Sequence, residues 1–154
     1  MRVYTYIVLR TDEEDFHGCV AGNVRAAARV LTRIYDNELR NAGLRVTQVA
    51  LLAQVRRLQP VSVGALAEAL ASERSAVARD LQILVRDGLV AVRANAADQR
   101  VREVRLTAAG NRRLRAAAAG WRLAQQRVHE LLGARRVNDL VTLAGDVVEA
   151  FPPT

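Results

Sequence analysis

VSVGALAEALASERSAVARDLQILVRDGLVAVRANAADQRVREVRLT, residues 61–107, is the stretch that decides the fold of this chain. LAEAL (66–70) predicts a short helix, and Ala71 and Ser72 lead from it into a second helix over residues 73–87. In that second helix Val77, Leu81, Leu84 and Val85 fall on one stripe, so it has a side to bury and a side left free. Gly88 stops it, because glycine takes the left-handed conformation that ends helices. LVAVR (89–93) then reads as a strand, NAADQR (95–100) as a polar turn, and VREVRL (101–106) as the returning strand. Helix, turn, helix and hairpin in this order make a winged helix-turn-helix. This device places one helix in the major groove of double-stranded DNA and a β-tip beside it. The fold class is mainly α with a small β-hairpin wing.

Helices are predicted on both sides of this block. Over residues 15–41, Val20, Val24, Ala27, Ala28, Leu31 and Tyr35 form one apolar stripe, and Gly43 ends the segment. Residues 46–58 follow as a helix with Val49, Leu52 and Ala53 on one face, and Pro60 prevents its continuation. Thr107 caps a long helix to residue 132 that carries Leu114, Ala118, Trp121, Val128 and Leu132, and Gly133 breaks it. A last helix spans 134–150, with Val137, Leu140, Val141, Ala144 and Val148 turned inward. A compact winged helix needs only the middle of the chain. The apolar stripes at both ends predict a second surface to bury, most simply a homodimer, against the plainer reading that they pack only on their own domain. The resulting organisation is an arm (1–14), an N-terminal dimerisation helix (15–45), a winged helix-turn-helix DNA-binding domain (46–107) and C-terminal dimerisation helices (108–154). In the arm, Val3, Thr5, Ile7 and Leu9 alternate in a strand-like way before an acidic run at 12–15, and the arm is either disordered or paired within a dimer.

Composition agrees with this reading without proving it. The 154 residues suit one domain, with 51% apolar and 25% charged residues. A net charge of +7 and a pI near 11.0 fit a polyanionic partner, although many basic proteins bind none. Every basic residue is arginine, which favours bidentate contacts to phosphate and guanine, and a biased genome would give the same usage. With a single cysteine no intramolecular disulfide forms, and a reducing cytoplasm is the simplest setting. No apolar run is long enough to span a membrane, and residues 1–10 lack the features of a signal peptide. His17 and His129 stand alone, so no metal site is expected. The carboxylates form no catalytic frame, and no serine elbow or phosphate loop occurs, so neither an enzyme nor a cofactor is implied.

Several short motifs carry a family resemblance. They are AGLRVTQ (42–48), LAEAL (66–70), RSAVAR (74–79), DGLV (87–90), DQR (98–100) and LTAAG (106–110). Singly each is weak. In this order and spacing, over about residues 16–150, the chain resembles the multiple-antibiotic-resistance regulator (MarR) family of bacterial winged-helix repressors. The resemblance implies a triangular obligate dimer joined through its terminal helices, a palindromic operator, and release by a small molecule or by oxidation.

The free side of the helix over 73–87 carries Arg74, Ser75, Ala76, Ala78, Arg79, Gln82 and Arg86, and its N-terminal part is expected to face base edges. The family often has threonines where this chain has Ala76 and Ala78, which puts more weight on Arg74, Ser75 and Arg79. A plainer role for Arg79 is an ion pair with an acid of its own helix. Arg100 resembles the family arginine that enters the minor groove, held by Asp98; a solvated turn is the alternative. Arg93 and Arg102 flank it as phosphate contacts, while Arg56 and Arg57 read mainly as solvated helix-end charges. By resemblance, small aromatic acids bind between the dimer helices and the winged lobe, near Tyr35, Val49 and Trp121, with Arg25 or Arg29 on the carboxylate. Trp121 also suits a dimer core.

Some branches of the family sense oxidants through a cysteine in the first helix near tyrosines. Cys19 lies about two residues further from Tyr35 than that pattern has it, and Asn23 replaces the nearby tyrosine. A lone helical cysteine is more often a small buried apolar residue. The reading is therefore a dimeric DNA-binding repressor in the cytoplasm, released by a small aromatic ligand. The alternatives are a redox-responsive repressor using Cys19, and a winged helix that binds another protein.

Overall fold

The computed structural model describes residues 19–95 and 98–150. The arm, the start of the first predicted helix, His17, and Ala96 and Ala97 of the wing lie outside them. The described elements are α1 (Val20–Leu39), α2 (Val46–Leu58), β1 (Val61–Ser62), α3 (Val63–Ala69), α4 (Arg74–Arg86), β2 (Val90–Ala94), β3 (Arg102–Leu106), α5 (Ala108–Leu132) and α6 (Ala134–Ala150). A 3-10 turn, Arg40–Ala42, extends α1, and Gly43 at φ +62 reverses the chain toward α2. The expected winged helix-turn-helix is present.

The winged lobe shows how local chemistry fixes each boundary. Ser62 Oγ accepts from the Ala65 N–H at 3.1 Å, so α3 begins at Val63, three residues before the apolar run that reveals it in the sequence. Ala71 makes the turn into α4 at φ +46, a left-handed conformation that costs a non-glycine residue about 1 kcal/mol. Beyond α4, Gly88 at φ +68 sends its N–H to the Val85 carbonyl at 2.9 Å, and the Leu89 N–H reaches Leu84 at 2.8 Å. That paired closure leaves Leu89 buried.

Three features differ from the sequence expectation. The sheet has three antiparallel strands in the order β1-β3-β2, not two, because Val61 and Ser62 pair with Val104 and Glu103. On α4, Val77, Leu81 and Leu84 are buried but Val85 is exposed, since it sits at the stripe's edge. On α2 the buried face is Leu51, Leu52 and Val55, while Val49 and Ala53 are half-buried. Leu39, Leu52, Leu66, Leu84, Val55 and Val104 are the largest fully buried side chains, and each contributes about 1.5–3 kcal/mol.

The remaining helices behave differently. Of the apolar positions expected inside α6, only Val137 is buried, and Val141 is 67% exposed. Val20 and Val24 of α1 and Leu123 and Leu131 of α5 are also exposed. Trp121 is 42% exposed, and the buried line of α5 is Leu114, Ala117, Ala124 and Val128. Where α1 does meet α5 the approach is close. A Cβ at Gly120 would lie 2.3 Å from the Glu38 carbonyl oxygen. Arg127 pairs with Glu38 at 3.2 Å, and Arg113 donates to the Ala42 carbonyl at 3.1 Å.

Gly120→Ala is expected to destabilise the protein by about 1–3 kcal/mol through overpacking, although alanine is the better helix former. Gly64→Ala, whose Cβ would meet only Ser62 Oγ at 3.8 Å, should be neutral or stabilise by up to about 1 kcal/mol. Urea unfolding midpoints at equal protein concentration check the opposite signs.

Candidate nucleic-acid interface

Burial of Val77, Leu81 and Leu84 turns the opposite side of α4 to solvent. Along the centre of that side run Ser75, Arg79, Gln82 and Arg86, all exposed, at spacings of four, three and four residues that keep them in one line. Ala76 and Ala78 are half-buried on its flanks, and Arg74 is exposed but turned about 100° from Ser75. Arg79 makes no ion pair or hydrogen bond among the described residues, so the expected alternative, pairing with an acid of its own helix, is absent. Arg86 contacts Asp87 at 3.3 Å in an exposed pair of the kind worth little in water. Ile83, one turn beyond Arg79, is exposed beside this line. Sequence reasoning passed over it; the signal was its i+4 spacing from Arg79.

The wing turn is held by its own polar groups. Asn95 N–H donates to the Val101 carbonyl at 2.9 Å, and Val101 N–H donates to the Asp98 carbonyl at 3.0 Å. The Asp98 N–H reaches Asn95 Oδ1 at 3.0 Å, and Asn95 Nδ2 donates to Glu103. Asp98 Oδ1 accepts from the backbone N–H of Arg100 at 2.9 Å. Asp98 therefore holds the backbone of Arg100, and the Arg100 residue is exposed.

Strand register separates two residues the sequence reading had grouped. Arg93 lies opposite Glu103 and Arg102 opposite Ala94, so Arg93 and Arg102 point to opposite faces of the ribbon. Arg105, not singled out in the sequence, shares the Arg93 face and lies 3.8 Å from Glu103.

A groove of about 450 Å³ runs between α2 and α5. Val49 and Ala53 form one apolar wall, Leu114, Ala118 and Trp121 the other, with Arg56 and Arg115 among the lining residues. Of the expected ligand residues, Val49 and Trp121 meet here. Tyr35 and Arg25 do not line it. The Tyr35 hydroxyl donates to Gln125 Oε1, and burial raises the phenol's pKa above its usual value. Arg25 lies ten residues earlier on α1, about 15 Å away along the helix. Arg56 and Arg115 become visible as groove residues only through the packing of α2 on α5. Cys19 is free and exposed just before α1, so it is not a core packing residue of this chain. No described helix is long and apolar enough to cross a membrane, and no cluster of metal-binding side chains occurs among the described residues.

A buried-on-one-side helix, an arginine-bearing wing and a helical scaffold define a winged-helix DNA-binding protein. The profile of the MarR family matches residues 44–101. The solved structure of the M. tuberculosis transcriptional regulator MosR is 33% identical with a TM-score of 0.75, covering 89% of this chain and 100% of that one. MosR in complex with DNA is 36% identical with a TM-score of 0.74, covering 86% and 97%. PcaV from Streptomyces coelicolor, in complex with its natural ligand, shares the fold at 20% identity and a TM-score of 0.78, covering 88% and 96%. A comparison with curated protein sequences finds no match. The chain belongs to the MarR family of DNA-binding, winged-helix transcriptional regulators.

Proposed function

We propose that the chain is a homodimeric repressor that binds a pseudo-palindromic operator and leaves it when a small aromatic acid fills the α2–α5 groove. One observation carries the DNA reading. A line of Ser75, Arg79, Gln82 and Arg86 stands free on a helix whose other side is core, beside a wing that ends in Arg100. In this reading Arg79, Arg74 and Ser75 meet base edges, and Ala76 and Ala78 offer small apolar flanks to thymine methyls. Arg86, Arg93 and Arg102 meet phosphates. With their faces opposed, Arg93 and Arg102 suit the two walls of one groove. Arg100 enters the minor groove, where negative potential is concentrated, and Asp98 fixes its backbone. The winged-helix protein-binding module is disfavoured, because such a surface has no use for a free arginine line with a preformed arginine tip.

A duplex selected from random DNA by the wild-type protein tests these roles. Arg79→Ala should lower affinity for it by about 1–3 kcal/mol while leaving random DNA nearly unchanged. Arg100→Ala should lose most on A·T-rich wing sites. Equal losses on selected and random DNA would reduce both residues to phosphate contacts.

Dimerisation is supported by the apolar side chains that α1, α5 and α6 leave in water, among them Val20, Val24, Leu123, Leu131, Val141 and Val147. A dimer matches two half-sites about one helical turn apart. Val141→Asp should produce monomers at micromolar concentration in sedimentation and weaken operator binding. A wild-type monomer with full affinity for a single half-site rejects the dimer.

The ligand reading rests on the groove's apolar walls and on Arg56 and Arg115, which supply positive charge there in place of Arg25 or Arg29. Trp121 is the only tryptophan, so its fluorescence reports occupancy. Salicylate should change that emission and lower operator affinity, and Arg115→Ala should abolish both responses. No change in thermal stability or DNA affinity with salicylate counts against the site, since a ligand that prefers one state shifts the equilibrium. The accessible thiol of Cys19 favours a second, redox reading. Mild peroxide releasing wild type but not Cys19→Ser from the operator would support it.

A further inference from the structure

The end of α4 and the start of α5 meet around Thr107. Thr107 precedes α5 in an extended conformation, and its backbone N–H donates to the Leu89 carbonyl at 3.1 Å. Its side-chain oxygen accepts from the Gly110 N–H at 2.9 Å, which caps the helix. The same hydroxyl donates outward, lying 2.7 Å from the Gly88 carbonyl oxygen and 3.2 Å from that of Leu89. Gly88 and Leu89 are the residues whose N–H groups close the end of α4. Gly110 packs on the same point, where a Cβ would lie 2.0 Å from the Leu89 carbonyl oxygen. Between about two and four turns further along α5 come Leu114, Arg115, Ala118 and Trp121, which line the groove.

Capping α5 needs only the acceptor. The donated proton is a separate bond, and it joins α5 to the end of α4. We propose that Thr107 is a positioning residue for DNA recognition: its hydroxyl fixes the end of α4 to the start of α5. The line of Ser75, Arg79, Gln82 and Arg86 is thereby presented at an angle set by α5. Any shift of α5 against α2 is carried to α4 through this bond. The proposal rests on the reading of α4 as the base-contacting helix, which Arg79→Ala tests by itself.

Thr107→Asp keeps an acceptor for the Gly110 N–H but has no proton to give to Gly88, so it breaks the outward bond and sets a carboxylate oxygen against the carbonyls the hydroxyl faced. Thr107→Ser keeps both bonds. The readout is the ratio of affinities for the selected duplex and for random DNA of equal length and salt, in which the effect of an added negative charge on phosphate attraction cancels. Thr107→Ser should match wild type. Thr107→Asp should stay folded with a melting temperature lower by a few degrees, the cost of the lost bond, while the ratio falls about five- to tenfold as α4 loses its fixed setting. In an Arg79→Ala background the further loss should shrink to less than about twofold, since coupled residues are not additive. If Thr107→Asp does not fold, Thr107→Ala is read by the same ratio. An unchanged ratio in whichever variant folds overturns the proposal, as does an equal loss with and without Arg79.

Discussion

The rotational setting of α4 depends on the burial of Val77, Leu81 and Leu84, and the rest of the interface depends on that setting. Removing three such side chains from water is worth several kcal/mol. A turn of α4 by one residue, about 100°, would drive exposed polar side chains toward the core and put leucine in water. Burying an unpaired guanidinium costs far more than α4 could recover. The same core contains Val90 and Val104, so the wing is fixed relative to α4 by the contacts that fix α4 itself. A polar line on one helix and a basic turn on a hairpin, distant in sequence, thus share one rigid support.

Outside the winged lobe the chain leaves apolar surface uncovered. α6 has 17 residues and buries only Val137, while the N-terminal half of α1 exposes Val20 and Val24. The close approach at Gly120 and the bonds from Arg113 and Arg127 fasten α1 to α5, so the two helices form a firm platform. The proposed dimer gives that platform its purpose. In that proposed dimer a second copy would cover apolar faces that a single chain cannot, and the spacing of the two α4 helices would become a property of the platform. Fastenings between α5 and α4 then decide how faithfully this spacing reaches the DNA.

Much of this was legible in the sequence because it is written in local chemistry. Gly88 and Gly133 mark helix ends with positive φ, Thr107 caps α5 as its position suggests, and the stripe of Val77, Leu81 and Leu84 has helical spacing. What escaped depends on tertiary pairing. Val61 and Ser62 are too few to alternate, and only their pairing with β3 makes them a strand. The opposed faces of Arg93 and Arg102 depend on a register that the turn sets. Arg56 and Arg115 come from separate helices and join one groove only when α2 packs on α5. For α6 the periodicity marks an apolar face, but of the positions expected inside, the chain itself buries only Val137.

Ala76 and Ala78 also bear on how this regulator discriminates among DNA sequences. Both are half-buried at the flanks of the polar line, where a hydroxyl or amide would have offered a donor to a base edge. Under the proposed function, that leaves Arg74, Ser75 and Arg79 as the N-terminal readers, and each good bidentate contact supplies about 1–3 kcal/mol of discrimination. The remainder falls to groove width and deformability, which Arg100 reads without needing a particular base. Shape readout is geometrically demanding: the wing must reach the minor groove while α4 is seated in the major groove. Two hydrogen-bonded devices add to the core contacts that hold that relation. Asn95 and Asp98 set the turn before Arg100, and Thr107 ties the end of α4 to α5. With few base readers, the proposed function would draw specificity from holding those readers rigidly, so substitutions in the supports should alter sequence preference as well as stability.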